Sequence, residues 1–406
     1  MRKLQWSALI VFALLARGLA QAPASVTVNV SESGGMRRTQ FPVTARVPLP
    51  RAALTDPANV RLLLGQTEVA SQPAADARWP DGSIQWLAVD FNATIGPLES
   101  QAYTLQYGAG VKSDVAARGL AVAEDGDGIQ VGNIRFNRSG LPLVASVKYR
   151  DEAIGTGPNG LSVVDTAGTS RDLSSADGLK TEIVKRGPLS VVIRYSGSIR
   201  LESGTAPFTL TTEMPNSKSW VKLSASVSDP SRRIREIVLA TPLALGPLPW
   251  VWDFGTTRWT YGSMRNATDS VVMTHVRSAS GAEWTVANGP KGRQQTYETS
   301  RADRSAFAGW GHVQSGKEVV AFAIEGVPSR QGTYRVALSG DGQTTFGFAA
   351  ASPQTSHELT VFQHYVSTPV QIGAATSPAA ILSPLTAVCE RDQYTRAGVP
   401  VPAGVR

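Results

Sequence analysis

The chain has 406 residues, of which 42% are hydrophobic and 17% are charged, and its formal net charge is +7. The basic residues are scattered and form no block of lysines and arginines, so the sequence gives little support to nucleic-acid binding. Cys389 is the single cysteine, which excludes an intramolecular disulfide. The length is sufficient for two ordinary domains or one large β domain.

The N-terminus has the three parts of a secretory signal peptide. Basic Arg2 and Lys3 precede an apolar run at residues 7–16, and small residues follow at Gly18, Ala20 and Ala22. We expect cleavage after Ala20, with Ala22 as the alternative, and therefore a secreted or periplasmic protein. The apolar run is too short to span a bilayer, which needs about 20 residues. A retained N-terminal anchor is the competing interpretation.

Beyond the signal peptide, short segments of alternating polar and apolar residues follow one another, rich in Val, Ile, Thr and Tyr. Gly, Pro, Asn and Asp separate them, and no stretch of a dozen residues has a helical period. The sequence therefore predicts an all-β chain. The predicted strands are 25–30, 60–64, 84–91, 103–107, 129–136, 143–149, 181–184, 189–195, 208–213, 220–227, 234–243, 271–276, 284–287, 318–324, 334–338, 345–349 and 358–365.

A domain boundary is expected near residues 110–120, where Tyr107 and Gly108 close one group of strands. We predict a small barrel at 21–117 and a large antiparallel sandwich at 118–390. The segment 391–406 contains Pro400, Pro402 and Gly404 and is predicted to be a flexible tail.

Residues 41–44 and 78–91 form a distinctive pair of motifs. Pro80 to Ser83 make a turn between Trp79 and Trp86, and the following residues alternate as a strand. A turn held by two tryptophans favours a folding role, with sugar contact by Trp79 as the alternative. These motifs resemble the N-terminal RIFT barrel of proteins related to the exo-rhamnogalacturonan lyases, and segments 185–194, 307–310 and 356–359 extend the resemblance.

The resemblance implies a RIFT-type barrel followed by a super-sandwich of the mutarotase-like type. In that family a C-terminal α/α toroid supplies much of the catalytic cleft, and this chain stops about where the toroid would start. We therefore expect a protein without a complete lyase site. A separate chain carrying the catalytic toroid is left open as a partner.

An aromatic segment gives the strongest indication of a ligand site. Trp250, Trp252, Trp259 and Tyr261 lie close to Arg258 in what is predicted to be a loop, because Pro247, Pro249 and Gly255 flank it. Aromatic faces stack on the apolar faces of sugars, and a guanidinium can hold a carboxylate. With Trp310, these residues are the predicted substrate contacts. The alternative is that the tryptophans close one end of the sandwich.

Catalytic residues are less clear. Elimination of a uronic acid requires a base, a positive charge on the carboxylate and an acid. His312, His364 and Tyr365 are the candidates, because a titratable group lies beside an aromatic residue at each place. His357 and His364 would point to opposite faces of a strand, so no shared metal site is expected, and no motif implies a cofactor.

These observations leave three hypotheses open. The first is an exported protein that binds a polysaccharide or oligosaccharide, with uronate-containing, pectin-like chains as the suggested ligand and without a complete lyase site. The second is a polysaccharide lyase or another polysaccharide-active enzyme with its cleft on the sandwich. The third is a cell-surface structural protein.

Overall fold

The computed structural model describes residues 23–139, 144–149, 152–155, 160–202, 204–256, 260–300, 306–316, 318–366, 376–403 and 405. Antiparallel strands make up nearly all of the regular structure in these ranges, which confirms the all-β prediction. The predicted signal peptide at 1–20 lies outside the described residues. Within them, no helix has the length and apolarity needed to cross a membrane.

The first seven strands form the N-terminal part of the molecule. Their apolar residues alternate along each strand, so one face of each sheet turns toward a common core. The strands are β1 (Ala24–Ser31), β2 (Arg38–Pro48), β3 (Val60–Leu64), β4 (Thr67–Val69), β5 (Ser71–Arg78), β6 (Ile84–Ile95) and β7 (Ser100–Tyr107).

The predicted small barrel is not closed in the described residues. Strands β1, β7, β3 and β4 belong to one sheet, and β2, β6 and β5 form a separate three-stranded sheet. Both edges of β1 are occupied, one by β7 and the other by a strand near the C-terminus, residues 386–389. The outermost strands of the two sheets are not paired with each other, so the sheets face each other across the core without closing into a barrel.

The second part of the chain contains the strands of the large sandwich. They are β8 (Val122–Glu124), β9 (Gly128–Val131), β10 (Ile134–Asn137), β11 (Val144–Tyr149), β12 (Glu152–Gly155), β13 (Gly160–Asp165), β14 (Ser170–Asp172), β15 (Ala176–Lys185), β16 (Ser190–Arg200), β17 (Thr205–Pro215), β18 (Trp220–Ser228), β19 (Ile234–Ala240), β20 (Trp250–Phe254), β21 (Thr260–Met264), β22 (Asp269–Ser278), β23 (Gly281–Pro290), β24 (Gln295–Thr299), β25 (Trp310–Gln314), β26 (Val319–Ile324), β27 (Gly332–Ser339), β28 (Thr344–Ala350) and β29 (Ser356–Val366).

Two large sheets form the sandwich and enclose its core. The eight-stranded sheet has the order β14-β13-β19-β28-β27-β22-β23-β24, and the nine-stranded sheet has the order β15-β16-β17-β18-β29-β26-β25-β20-β21. The predicted antiparallel sandwich is therefore confirmed. The nine-stranded sheet is buried on both faces near its middle: Phe322 belongs to the sandwich core, whereas Trp220, Trp310 and Ala323 belong to the N-terminal core.

The C-terminal segment returns to the N-terminal sheets, which differs from the predicted flexible tail. It contains α1 (Thr376–Leu382), β30 (Thr386–Cys389) and α2 (Arg391–Arg396), and a short 3-10 turn, Leu173–Ser175, lies earlier in the chain. β30 pairs with β1, and Tyr394 of α2 is buried. Gln393 donates a hydrogen bond to the Pro48 carbonyl at 2.6 Å. Tertiary contacts of this kind order a segment whose local pattern is weak.

A buried ion pair ties α1 to the N-terminal sheets. The Arg38 guanidinium lies 2.8 Å from the Glu32 carboxylate and also donates to the carbonyls of Ala380 and Ser383. The backbone N–H of Leu98, the Arg38 guanidinium and the N–H of Gly34 all donate to Glu32 and lower its pKa to about 2. These donors favour the charged carboxylate and hold three separate chain segments together.

We expect this carboxylate to make the stability of the protein sensitive to acid. The pKa of Glu32 is about 2 in the folded chain and ordinarily near 4.5, so its contribution is present above pH 4.5 and is lost as the pH falls toward 2. Urea unfolding between pH 2.5 and 7 should therefore show that Glu32→Gln has a lower free energy of unfolding than the wild type, and that this difference becomes smaller at low pH. The control is Glu202→Gln at an exposed position. A deficit that is independent of pH would contradict the prediction.

Candidate functional site

The aromatic segment predicted as a loop is instead a β-hairpin of β20 and β21. Alternation along β20 turns Trp250, Trp252 and Phe254 into the sandwich core, where Trp250 is 5% exposed and Trp252 is 1% exposed. The Trp250 indole donates to the Gly246 carbonyl at 3.0 Å. The loop prediction is therefore wrong, because a run of large apolar residues at alternate positions is also the pattern of a core strand.

The other predicted sugar contacts do not join these two tryptophans. Trp310 is 6% exposed and lies on the opposite face of the nine-stranded sheet, in the N-terminal core. Tyr261 is 57% exposed at the edge of that sheet. Arg258 and Trp259 lie outside the described residues. The described members of the predicted set thus occupy three different surroundings.

His312 forms a buried pair with an aspartate of the neighbouring strand. Its Nδ1 lies 2.8 Å from Asp253 Oδ1, and its backbone N–H donates to the same oxygen at 2.7 Å. Trp310 stands edge-on to the imidazole, with ring centroids 5.7 Å apart. This arrangement fixes the orientation of the ring. No group of three or more possible metal ligands occurs in the part of the chain that the structure describes.

His364 and Tyr365 face opposite sides of β29. The His364 ring lies 6.0 Å from Trp220, and its pKa falls to about 4, mainly because burial disfavours the charged form and also because Lys218 and His312 are near. Tyr365 turns into the sandwich and donates to Gln363 Oε1 at 3.1 Å, and burial raises its pKa. The two side chains therefore cannot act on the same substrate group.

Trp220 and Pro215 line two concave surfaces that the sequence did not predict. The first, here called the Trp220 groove, is a cavity of about 190 Å³ between β2 of the N-terminal part and the outer face of the nine-stranded sheet. Its side chains include both charges and aromatic rings: Phe41, Thr44, Glu213, Trp220, Lys222, Glu325 and Phe362.

Strand register places the charged residues of the Trp220 groove. Glu213 of β17 lies directly opposite Lys222 of β18, and Lys222 lies opposite Phe362 of β29. The Lys222 ammonium stands 5.3 Å from the centre of the Phe362 ring, and Phe41 packs edge-on to Trp220 at 5.3 Å. The groove thus combines aromatic surface with hydrogen-bonding groups of both charges.

The second concave surface, here called the lysine pocket, has a volume of about 270 Å³ and shares Pro215 and Trp220 with the groove. Lys148 and Lys218 line it together with Asn133, Asn216 and Tyr365, and its lining in the described residues contains no carboxylate. The Lys218 ammonium donates to the Thr39 carbonyl at 2.9 Å, and burial lowers the pKa of this lysine. The local charge of the pocket favours an anionic group.

The sequence does carry a signal for this region. Trp220, Lys222 and Ser224 alternate with Val221, Leu223 and Ala225 in a strand that was predicted. A tryptophan and a lysine on the otherwise polar face of such a strand indicate that something packs or binds on that face, and the structure buries Trp220 there at 8% exposure. What the pattern could not supply is the packing of β2 opposite that face.

No family model matches the chain, and no curated protein matches it. Among solved structures, an alpha-mannosidase from Enterococcus faecalis V583 aligns with 90% of this chain at a TM-score of 0.55 and 10% identity. A glycosyl hydrolase family 38 protein from Enterococcus faecalis gives the same score and identity. The chain spans 46% and 47% of these two proteins. A galactose mutarotase related enzyme from Lactobacillus acidophilus aligns with 62% of this chain at a TM-score of 0.29 and 10% identity, over 99% of its own length.

These comparisons correct the expected family. The resemblance to the exo-rhamnogalacturonan lyases is wrong, since no family model matches and the shared fold is that of the alpha-mannosidase and the family 38 protein. The short motifs at 41–44 and 78–91 form strands and a turn that many sequences can adopt. At 10% identity the alignments establish the fold and leave the activity open.

Proposed function

We propose that the protein binds carbohydrate chains in the Trp220 groove, without a catalytic centre of its own, and favours chains that carry acidic groups. The observation that carries the proposal is that the groove, which contains both charges, shares Pro215 and Trp220 with a pocket lined by Lys148 and Lys218. A chain bound in the groove would meet the half-buried ring of Phe362 and hydrogen-bonding side chains, with the cationic pocket adjacent.

The chemistry of the groove suits a sugar. Aromatic rings such as Phe362 offer apolar surface to the C–H faces of pyranose rings, whereas Thr44, Glu213 and Lys222 can bond hydroxyl groups. A carboxylate of a uronic acid would pair with Lys218, whose ammonium otherwise has a single backbone acceptor among the described residues. The match to an alpha-mannosidase and a glycosyl hydrolase family 38 protein adds support for a carbohydrate ligand.

An enzyme is the second candidate, and one observation favours it. Glu213 and Glu325 both line the Trp220 groove, and glycoside hydrolysis uses two carboxylates on either side of the scissile bond. Glu213, however, lies opposite Lys222 in the ladder, which is also the arrangement of a binding surface. We therefore place binding first and catalysis second.

We also propose that the protein acts outside the cytoplasm. The basic residues Arg2 and Lys3, the apolar run and the small residues before Ala22 support export. Polysaccharides of cell surfaces are accessible to an exported protein. Fractionation of cells that produce the chain, with N-terminal sequencing of the exported form, would test this part.

The acidic preference is tested by calorimetry with tetragalacturonate and its neutral counterpart, galactotetraose. We expect Lys218→Met to weaken the acidic ligand by about ten- to a hundredfold, because a charge-assisted hydrogen bond contributes about 1.5–3 kcal/mol, and to leave the neutral ligand unchanged. Methionine keeps most of the apolar stem of the lysine. The matched control is Lys180→Met, at an exposed position of β15.

The remaining outcomes separate the hypotheses. Equal binding of both ligands by the wild-type chain would contradict the preference for acidic chains but would still support carbohydrate binding. Release of shortened products that is lost in Glu213→Gln would favour the enzyme. Failure to bind acidic, neutral and mannose-containing oligosaccharides would contradict the proposal and favour a structural role.

A further inference from the structure

A second surface feature lies at the edge of the sandwich. Tyr261 is on β21, the edge strand of the nine-stranded sheet, and Tyr297 is on β24, the edge strand of the eight-stranded sheet. They are 57% and 51% exposed, and among the described residues they are the aromatic side chains that face solvent most. The Tyr297 hydroxyl donates to the Tyr261 carbonyl at 3.1 Å, so the two edges are joined at this point.

The Tyr297 ring packs on one side against a core residue. Trp252, which is 1% exposed, packs edge-on against it with ring centroids 5.9 Å apart and planes at 78°. Gly262, which pairs with Trp252 across the hairpin, leaves room for the Trp252 ring, because a Cβ at that position would lie 2.4 Å from it. Tyr297 is therefore fixed on one side and open on the other, and a fixed aromatic ring loses little conformational entropy when a ligand stacks on it.

The two rings lie on different sides of β21. Register places Tyr261 opposite Asp253 and therefore on the outer face of the sheet, whereas Tyr297 approaches from the side of Trp252. An extended ligand that crosses the sheet edge meets both tyrosines. A compact ligand meets only one of them.

The surroundings distinguish a sugar from a protein partner. Ser263, Gln295, Thr296 and Thr299 are exposed beside the tyrosines and carry uncharged hydroxyl or amide groups. The charged neighbours are Glu298, which is half-buried next to Tyr297, and the exposed Arg265 and Arg293 at the strand ends. The other large exposed apolar side chains of the described residues, Leu64, Leu98, Val115 and Val184, belong to other strands and turns. Protein interfaces use broader contiguous contact areas, whereas two rings among mostly uncharged hydrogen-bonding groups suit the alternating faces of a saccharide chain.

We propose that Tyr261 and Tyr297 form a second glycan-binding site, called here the tyrosine edge, which takes an extended neutral saccharide chain. It is distinct from the Trp220 groove, because β21 is five strands away from β18 in the nine-stranded sheet. At a spacing of about 4.8 Å per strand, the separation is roughly 24 Å. The inference does not depend on the ligand of the Trp220 groove.

The test measures binding of the full-length chain to mannohexaose, xylohexaose and cellohexaose by calorimetry, and its retention on insoluble mannan, xylan and cellulose. We expect Tyr261→Ala and Tyr297→Ala each to weaken the bound neutral ligand by about tenfold, which is the scale of one aromatic stacking contact. Tyr297→Phe should bind nearly as the wild type does, since the ring remains. Leu98→Ala, at a side chain that is 73% exposed elsewhere, is the surface control.

Lys218→Met distinguishes binding at the tyrosine edge from binding at the Trp220 groove, because this substitution should leave the binding of neutral chains unchanged. The inference is overturned if both alanine variants retain wild-type binding, or if the wild-type chain binds none of the six saccharides. It is also overturned if the alanine variants lose only self-association in analytical ultracentrifugation, which would identify a second copy of this chain as the partner.

Discussion

Replacing Trp252 by alanine is expected to lower the free energy of unfolding by about 3–5 kcal/mol, the usual effect of truncating a buried Trp or Phe. Trp252 is 1% exposed and packs against Phe254 and Tyr297, whose ring centroids lie 5.6 and 5.9 Å away. The truncation would leave a cavity between two sheets that are held in place by many other contacts, so the site can relax only in part.

The matched control for this substitution is in the same hairpin. Tyr261→Ala removes an aromatic ring that is 57% exposed, and we expect a change within about 0.5 kcal/mol. Urea unfolding followed by circular dichroism measures both variants. If Trp252→Ala unfolded like the wild type, the assignment of Trp252 to the core would be contradicted.

Local patterns were sufficient for many strands, and their limits are visible at particular residues. The predicted strand 60–64 has the bounds of β3, because alternating apolar residues between turns specify such a strand without further information. Residues 129–136 were predicted as one strand, but the structure has β9 and β10 joined by a tight turn. Gly132 adopts a φ of +52° there, a conformation that side chains rarely favour.

Long-range pairing could not be predicted in the same way. The pattern in β30 is short, and its place at the edge of β1 depends on residues more than 350 positions earlier in the chain. Tyr394, in the segment predicted to be flexible, packs beside Trp86 with ring centroids 6.4 Å apart. Neither contact leaves a periodic signal in the sequence.

The candidate site could not be predicted from local sequence patterns either. The sequence marked Trp250, Trp252 and Trp310 as large aromatics close to one another in the fold, and the structure separates them onto two faces of one sheet. Trp220 and Lys222, which line the groove, were not predicted as site residues. Whether an aromatic residue is buried or forms part of a cleft depends on which sheet packs over it, and that is a property of the tertiary arrangement.

The packing of the N-terminal sheets on the sandwich therefore controls the shape of the Trp220 groove, and Gln72 of β5 is one side chain that holds the two parts together. Gln72 Oε1 accepts from the backbone N–H groups of Leu189 and Ser190 at 2.8 and 3.1 Å, and its Nε2 donates to the Ser190 carbonyl at 3.0 Å. Gly187 makes room for this amide, since a Cβ there would lie 2.2 Å from Gln72 Cδ.

We expect Gln72→Ala to lower the free energy of unfolding by roughly 2–4 kcal/mol, because two donors and one acceptor lose their partner and each unsatisfied buried group costs about 1–3 kcal/mol before water partly replaces it. Gly187→Ala should act in the same direction by displacing the amide. Gln354→Ala is the control, since that exposed side chain bonds only within its own turn. Scanning calorimetry should show the N-terminal part unfolding ahead of the sandwich.

The same substitution links stability to binding. If β2 moves away from the outer face of β18, Phe41 no longer packs on Trp220 and the groove widens, so the affinity for oligosaccharides should fall in Gln72→Ala even at temperatures where it stays folded. Ligand should in turn raise the unfolding temperature of the N-terminal part, because it binds only when the two parts are together. A variant that unfolds within about 0.5 kcal/mol of the wild type and binds as tightly would mean that other contacts, such as Lys185 with Asp90, hold the two parts in place.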